Sequence, residues 1–178
     1  LFLSCNEEDV NHAIQNGIPA GLIYAQDIEY QNDGQIRIAF DADAVLFGYE
    51  SEHIYKTKGL QAFCENEINN QDEELTKGPL ARFLFRLASL QKVCKEKNLL
   101  RTAIVTARDR NAGIRVIKTL RKWGIVVDEV FFLQGANKKE VLKCFGANIF
   151  FDDQEIYAAP ASEVVPSARV PYKKGENE

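Results

Sequence analysis

The chain has 178 residues, 46% of them hydrophobic and 27% charged, a balance that suits one globular domain with a substantial core. Its formal net charge of -4 argues against a binder of nucleic-acid polymers, which would present a basic face. No apolar run approaches the roughly 20 residues that a bilayer crossing needs, and the opening "LFLSCNEEDV" turns acidic too early for a signal peptide, so a soluble cytoplasmic protein with no membrane partner is expected.

In chain order, the first feature is residues 1–24: an apolar stretch, a polar turn, a helix-like segment containing Ala13, and a second apolar stretch ending at Tyr24. Residues 149–172 follow the same plan. Aligned without gaps, Phe2 meets Phe150, Glu7 meets Glu155, Ala13 meets Ala161, Ala20 meets Ala168 and Tyr24 meets Tyr172. The chain contains no methionine and does not start with one. Residues 1–30 are therefore expected to form a strand-helix-strand unit of an upstream lobe, or one packed on the core, with 31–178 as the core domain.

Beyond it, "QIRIAF" (35–40) reads as a strand. Residues 78–98 read as a helix, with Leu80, Phe83, Leu84, Leu87 and Leu90 at helical spacing and Pro79 in its first turn. A strand at 101–106, a helix at 111–124 stopped by Gly124, a strand at 129–133, a helix at 138–146 stopped by Gly146 and a strand at 148–153 follow. Strands alternating with helices form right-handed crossovers around a parallel sheet, an α/β fold. Cys5, Cys64, Cys94 and Cys144 are scattered without a C-x-x-C pair, as in reduced thiols rather than a zinc site.

In parallel sheets ligands bind beyond the carboxyl ends of the strands. The first of these ends delivers Asp41 and Asp43, alternate positions that point to one side of an extended backbone. The next delivers Thr106, Ala107 and Arg108, and the last Asp152 and Asp153; "GANKKE" adds Lys138 and Lys139. So many carboxylates in one place require a cation among them or a proton on one of them. Oxygen ligands of this kind suit magnesium, which binds one or two carboxylates together with waters and substrate phosphate. Each piece alone has an ordinary reading: Thr106 as a helix cap, the lysines as solvated, Asp152–Asp153 as a capped turn. A calcium loop from Asp41 to Glu52 is excluded, because Val45 and Leu46 stand where an oxygen ligand and a glycine are needed. Trp123 beside Leu120 belongs to the core, and the isolated His12 and His53 receive no catalytic role.

Taken together, "FDADAVLF", "AIVTAR", "GANKKEVL" and "IFFDDQ" resemble, in order and spacing, the four motifs of the haloacid dehalogenase superfamily. More narrowly, "FDADAVLFGYESE", "GPL", "VTAR", "TLRKWG", "DEVFFLQGA", "FFDDQ" and "VPY" resemble the cytosolic 5'-nucleotidase I family, whose members hydrolyse nucleoside 5'-monophosphates. In that family the segment resembling residues 1–10 is preceded by a further region.

The resemblance implies a Rossmann-like parallel sheet flanked by helices and a Mg²⁺-dependent phosphomonoesterase. Asp41 would be the nucleophile. Asp43 would be the acid and base, which requires it to hold a proton when substrate arrives, through crowding by the other carboxylates. Thr106, Ala107, Arg108 and Lys138 would bind substrate, with Lys139 as the competing lysine and Asp109 as another partner for Arg108. Asp41, the backbone carbonyl of Asp43, and Asp152 or Asp153 would hold Mg²⁺. The insertion at about 48–77 would form a small cap that reads the leaving group, with Tyr49, His53, Tyr55 or Phe63 stacking on a base. A flexible surface loop is the plain alternative for it. The expected partners are a nucleoside monophosphate, and a second copy of the chain or an upstream lobe. Another small phosphometabolite, or a non-catalytic nucleotide-binding domain, are the competing functions.

Overall fold

The computed structural model describes residues 1–24, 28, 33–94 and 99–171, excluding the side chain of residue 94. The boundary expected at 30–31 and the match of Tyr24 with Tyr172 lie outside them. The described strands make one seven-stranded sheet in the order β1 (Phe2–Ser4), β2 (Ala20–Ile23), β7 (Ser167–Arg169), β6 (Ile149–Asp152), β3 (Ile36–Phe40), β4 (Leu100–Thr106), β5 (Glu129–Phe132). From β7 to β5 every pairing is parallel, and β2 meets β7 antiparallel. The mostly parallel α/β sheet expected from the alternating pattern is thus present.

Connections run from β3 to β4 and β5 on one side, then back across to β6 and β7 on the other, so the chain reverses direction around β3. The carboxyl ends at such a reversal form a crevice. β3 is hydrogen-bonded to β4 and β6, and its register pairs Phe40 with Ile104 and with Phe151. Phe40 and Phe151 stack with ring centroids 5.5 Å apart, and Phe83 closes on both from α3 (Ala81–Cys94). Because a carboxylate follows each phenylalanine, this register also brings Asp41 and Asp152 side by side.

The helices follow from their apolar stripes. Leu80, just before α3, and Ala81, Leu84, Leu87 and Ala88 within it are buried, at the three- and four-residue spacing of a core-facing helix. Leu90, expected in that stripe, is instead exposed, and Pro79 precedes the helix rather than occupying its first turn. Asp109 accepts a hydrogen bond from the Ala112 backbone N–H (2.7 Å) and caps α4 (Arg110–Lys122). Gly124 and Gly146 follow α4 and α5 (Lys139–Phe145) with φ of 65° and 70°. Cys5, Cys64 and Cys144 are free thiols, and Cys5 and Cys144 are exposed rather than built into the core.

Residues 48–77, read as a cap or a flexible loop, contain a long helix, α2 (Glu50–Asn69). It is interrupted at Gly59, whose φ of 82° with ψ of 179° is a conformation open to glycine and strained for other residues. The second half of α2 packs on α4.

The first unit places α1 (Glu7–Gln15) between β1 and β2, which pair in parallel; β6 and β7 likewise flank α6 (Glu155–Ser162) and pair in parallel. The two similar units therefore lie edge to edge across the β2–β7 pairing, tied also by Tyr24 donating to Glu155 (2.6 Å) and by Arg169 reaching Glu7 (2.6 Å).

Residues 45–47 are braced by the "GPL" segment: the backbone N–H of Gly78 donates to Leu46 O and that of Leu80 to Val45 O, both at 2.9 Å. A Cβ on Gly78 would lie 2.2 Å from Phe47 O. Gly78→Ala is expected to lower stability by about 2–3 kcal/mol, as overpacking does, measured by urea denaturation; an unchanged midpoint would show that the close approach is not required.

Candidate active site

The chain leaves β3 at Asp41 and turns at once. Ala44 has φ of 56°, and the Phe47 N–H donates to Ala42 O at 2.9 Å. Ala42 between the two carboxylates is helical, so Asp41 and Asp43 do not share one extended edge, as their alternation suggests, but acquire different partners.

Asp41 Oδ1 accepts from Lys138 Nζ at 2.6 Å, and the same ammonium donates to Asp152 Oδ2 at 2.6 Å. All three residues are buried. Of the two candidate lysines it is Lys138 that enters the cluster, over the rings of Tyr157 and Phe150, while Lys139 pairs with Glu163. Burial pushes Asp41 above the usual carboxylate range against the pull of Lys138, with the charges of Asp152 and Asp43 adding to the rise. Asp152 rises for the same first reason. Burial alone would lower the Lys138 ammonium, but the adjacent Asp152 and Asp41 carboxylates hold it above its ordinary value.

Asp153 completes a group with Asp41 and Asp152 in which one oxygen of each lies within 4.8 Å of the others. Asp152 uses both oxygens, one on Lys138 and one on the Gln154 backbone N–H (2.9 Å). Asp153 Oδ1 is buried with no hydrogen-bond partner. Burial, then the charges of Asp41, Asp152 and Glu52, push the Asp153 carboxyl up to about 9. A buried, unpartnered carboxylate oxygen beside two other carboxylates is a donor set that a hard divalent cation fits.

Asp43 is held instead by Arg108. Nε donates to Oδ2 at 2.8 Å and Nη2 to Oδ1 at 2.6 Å, the forked geometry characteristic of arginine and carboxylate. After burial, the charges of neighbouring carboxylates add to the rise at Asp41 and Asp153. Arg108 is not paired with Asp109, which serves as the α4 cap. Thr106, at the end of β4, is buried, and its Oγ1 accepts from the Arg108 backbone N–H (3.2 Å). The Ala107 carbonyl accepts from Gly135 N–H (3.0 Å), tying the strand end to the loop that carries Lys138.

From α2, Glu52 is buried and bonded by Lys56 (2.9 Å) and Gln154 (3.1 Å). Phe63 is buried under the Arg108 guanidinium, 5.1 Å from its ring centroid, and so is not free to stack on a base. Tyr49, His53 and Tyr55 remain more accessible, with Tyr49 against His53 at 6.1 Å. Glu67, which grips Arg108 from α2, was not singled out by its sequence; nothing local distinguishes it from the other polar residues of a helix.

A strand-end Asp-x-Asp, a strand-end threonine, a buried lysine and an Asp pair, in this order around a parallel sheet, define a haloacid dehalogenase-like protein. The family model described as 5'-nucleotidase matches residues 1–177, and the chain belongs to the 5'-nucleotidase family. It is 40% identical to human cytosolic 5'-nucleotidase 1B over 182 residues, which cover 98% of the chain but 30% of that protein. Among solved structures it is similar to a putative beta-phosphoglucomutase from Thermotoga maritima (TM-score 0.49, 16% identity, covering 73% of this chain and 82% of that one). A haloacid dehalogenase-superfamily hydrolase from Geobacter sulfurreducens gives a TM-score of 0.45 at 13% identity, covering 78% and 89%.

Removing the Lys138 ammonium would leave Asp41 and Asp152 buried without their counter-ion. Lys138→Met is expected to cost about 3–5 kcal/mol, as when one partner of a buried ion pair is lost, measured by chemical denaturation without added metal. A loss under about 1 kcal/mol would mean the carboxylates are solvated in solution.

Proposed function

We propose that this chain carries the catalytic core of a Mg²⁺-dependent 5'-nucleotidase that hydrolyses nucleoside 5'-monophosphates through an aspartyl-phosphate. The observation that carries the proposal is the buried Lys138 ammonium held between Asp41 and Asp152, with the unpartnered Asp153 oxygen beside them. Family membership and the name of the human relative support the reaction class and a nucleotide substrate. The relative's name also supports a cytosolic location, and among the described residues no helix is long and apolar enough to cross a membrane.

In the proposed sequence, a carboxylate oxygen of Asp41 attacks phosphorus and the bond from phosphorus to the 5'-oxygen breaks. Asp43 gives its proton to that leaving oxygen, so the nucleoside departs neutral. Water then attacks the phosphorus of the aspartyl-phosphate and passes a proton to Asp43, and the bond to Asp41 breaks, releasing phosphate. Lys138 and the Thr106 hydroxyl orient and neutralise the phosphoryl group, and the backbone at Ala107 with Arg108 borders the substrate. Asp41, the Asp43 carbonyl and Asp153, with Asp152 behind it, would hold Mg²⁺. Once bound, the ion would offset charge on the phosphoryl oxygens. Arg108 holds both oxygens of Asp43, so proton delivery requires one of them to be freed and to take a proton from solvent as substrate enters. Tyr49, His53 and Tyr55 are the proposed base contacts, and the 1–24 unit is the proposed junction to a further lobe or a second copy.

Phosphate release from nucleoside monophosphates and sugar phosphates, with and without Mg²⁺, tests the reading. Magnesium-dependent turnover that prefers nucleotides and falls on the order of 10³-fold or more in Asp41→Asn is expected. Turnover of sugar phosphates alone would move the substrate to another phosphometabolite, and nucleotide binding without turnover would leave a regulatory domain. Independently of activity, Mg²⁺ at a hundredfold excess over its Kd should stabilise the parent by about 2.7 kcal/mol and should fail to stabilise Asp153→Asn. Equal stabilisation of both would remove Asp153 from the metal site.

A further inference from the structure

Glu67 lies on the second half of α2, fully buried, and both of its oxygens are engaged. Oε2 accepts from Arg108 Nη1 at 2.5 Å. Oε1 accepts from Ser51 Oγ at 2.8 Å, Asn66 Nδ2 at 2.9 Å and Arg115 Nη1 at 3.1 Å. Arg108 also donates through Nη1 to the Ala112 carbonyl (3.0 Å) and lies over the Phe63 ring. The guanidinium is thus clamped on one side by α2 and α4, and its opposite edge, Nε and Nη2, holds Asp43. A buried carboxylate is costly unless its charge and hydrogen bonds are fully met, and here two arginines, a hydroxyl and an amide meet them. Nothing in the proposed chemistry uses Glu67 directly, and it touches neither Asp41, Lys138 nor Thr106. What it does touch is the residue that places the proposed acid.

We infer that Glu67 is a positioning residue: by anchoring Arg108 from the inserted helix it fixes where the Asp43 carboxyl sits, and so sets the efficiency of proton delivery to the leaving group. The inference rests on the proposed role of Asp43. It also assigns α2 a part in the chemistry beyond covering the site, because the helix reaches Asp43 through two charged side chains.

Proton delivery matters most when the leaving group is a poor one: a nucleoside alkoxide needs the proton, whereas nitrophenolate departs without it. A misplaced acid therefore has a signature that general loosening of the fold lacks. In Glu67→Gln, kcat for a nucleoside 5'-monophosphate should fall about tenfold or more with KM within about twofold, while turnover of p-nitrophenyl phosphate falls less than about threefold. Glu67→Asp keeps the charge but shortens the reach, and it should show the same split. Equal losses on the two substrates, or an unchanged kcat on the nucleotide, would overturn the inference.

A second readout needs no turnover. The Arg108 Nε–H, buried and bonded to Asp43, should give a slowly exchanging side-chain NMR resonance that shifts and exchanges faster in both variants. An unchanged resonance in folded protein would overturn the inference even if the parent proved inactive, an outcome that would by itself count only against the proposed reaction.

Discussion

The structure depends on one ammonium group. Lys138 Nζ lies 2.6 Å from Asp41 and 2.6 Å from Asp152, at the place where β3 and β6 end next to each other. Without it, two buried carboxylates from neighbouring strands would face each other in a medium where repulsion is strong and hydration absent. The pairing of β3 with β6, the Phe40–Phe151 stack and the loop from β5 to α5 all serve to bring these groups into one small volume. In turn the ammonium lets the sheet end in charge. Asp153, with its bare oxygen, shows that compensation is incomplete. The proposed cation and phosphoryl group would complete it, since full internal compensation would leave neither a reason to bind.

Much of this site was legible because its signals are local. An apolar strand that ends in Asp, repeated at 36–41 and 149–152, needs only the parallel-sheet rule to become a convergence of carboxylates. The same is true of Thr106 after "RTAIV" and of a lysine at the start of a helix. The choice between Lys138 and Lys139 was not local: adjacent residues near a helix start point in different directions, and only the packed loop shows which one enters and which one meets Glu163. Asp152 and Asp153 are separated for a similar reason, the first being consumed by Lys138 and the Gln154 N–H.

The segment at 48–77 was the least legible. Its composition is polar and its helix is interrupted at Gly59, so no apolar stripe marks it, and α2 is held largely by charged and polar contacts. Ser51 and Glu67, sixteen positions apart, meet because the chain kinks between them. Phe63, read as a free aromatic for a base, is instead part of the floor beneath Arg108. Both contacts escape a local reading, since one needs the kink within α2 and the other joins α2 to the distant end of β4.

The turn after β3 explains how two carboxylates one residue apart come to have different environments. Extended backbone would have sent Asp41 and Asp43 to the same side, into one crowded field. Ala42, helical rather than extended, breaks the alternation; the left-handed Ala44 that follows costs a non-glycine residue roughly 1–2 kcal/mol, and the backbone bonds from Phe47 to Ala42 and from Gly78 and Leu80 to residues 45–46 hold the turn in place. Asp41 is thereby left with a lysine and an incipient cation site, and Asp43 with an arginine anchored from another helix. Separate environments are what the proposed roles, one carboxylate attacking while the other moves a proton, would require. The "GPL" brace lies outside the site, yet it fixes the turn on which that division of labour depends, so packing at Gly78 and chemistry at Asp43 are one constraint.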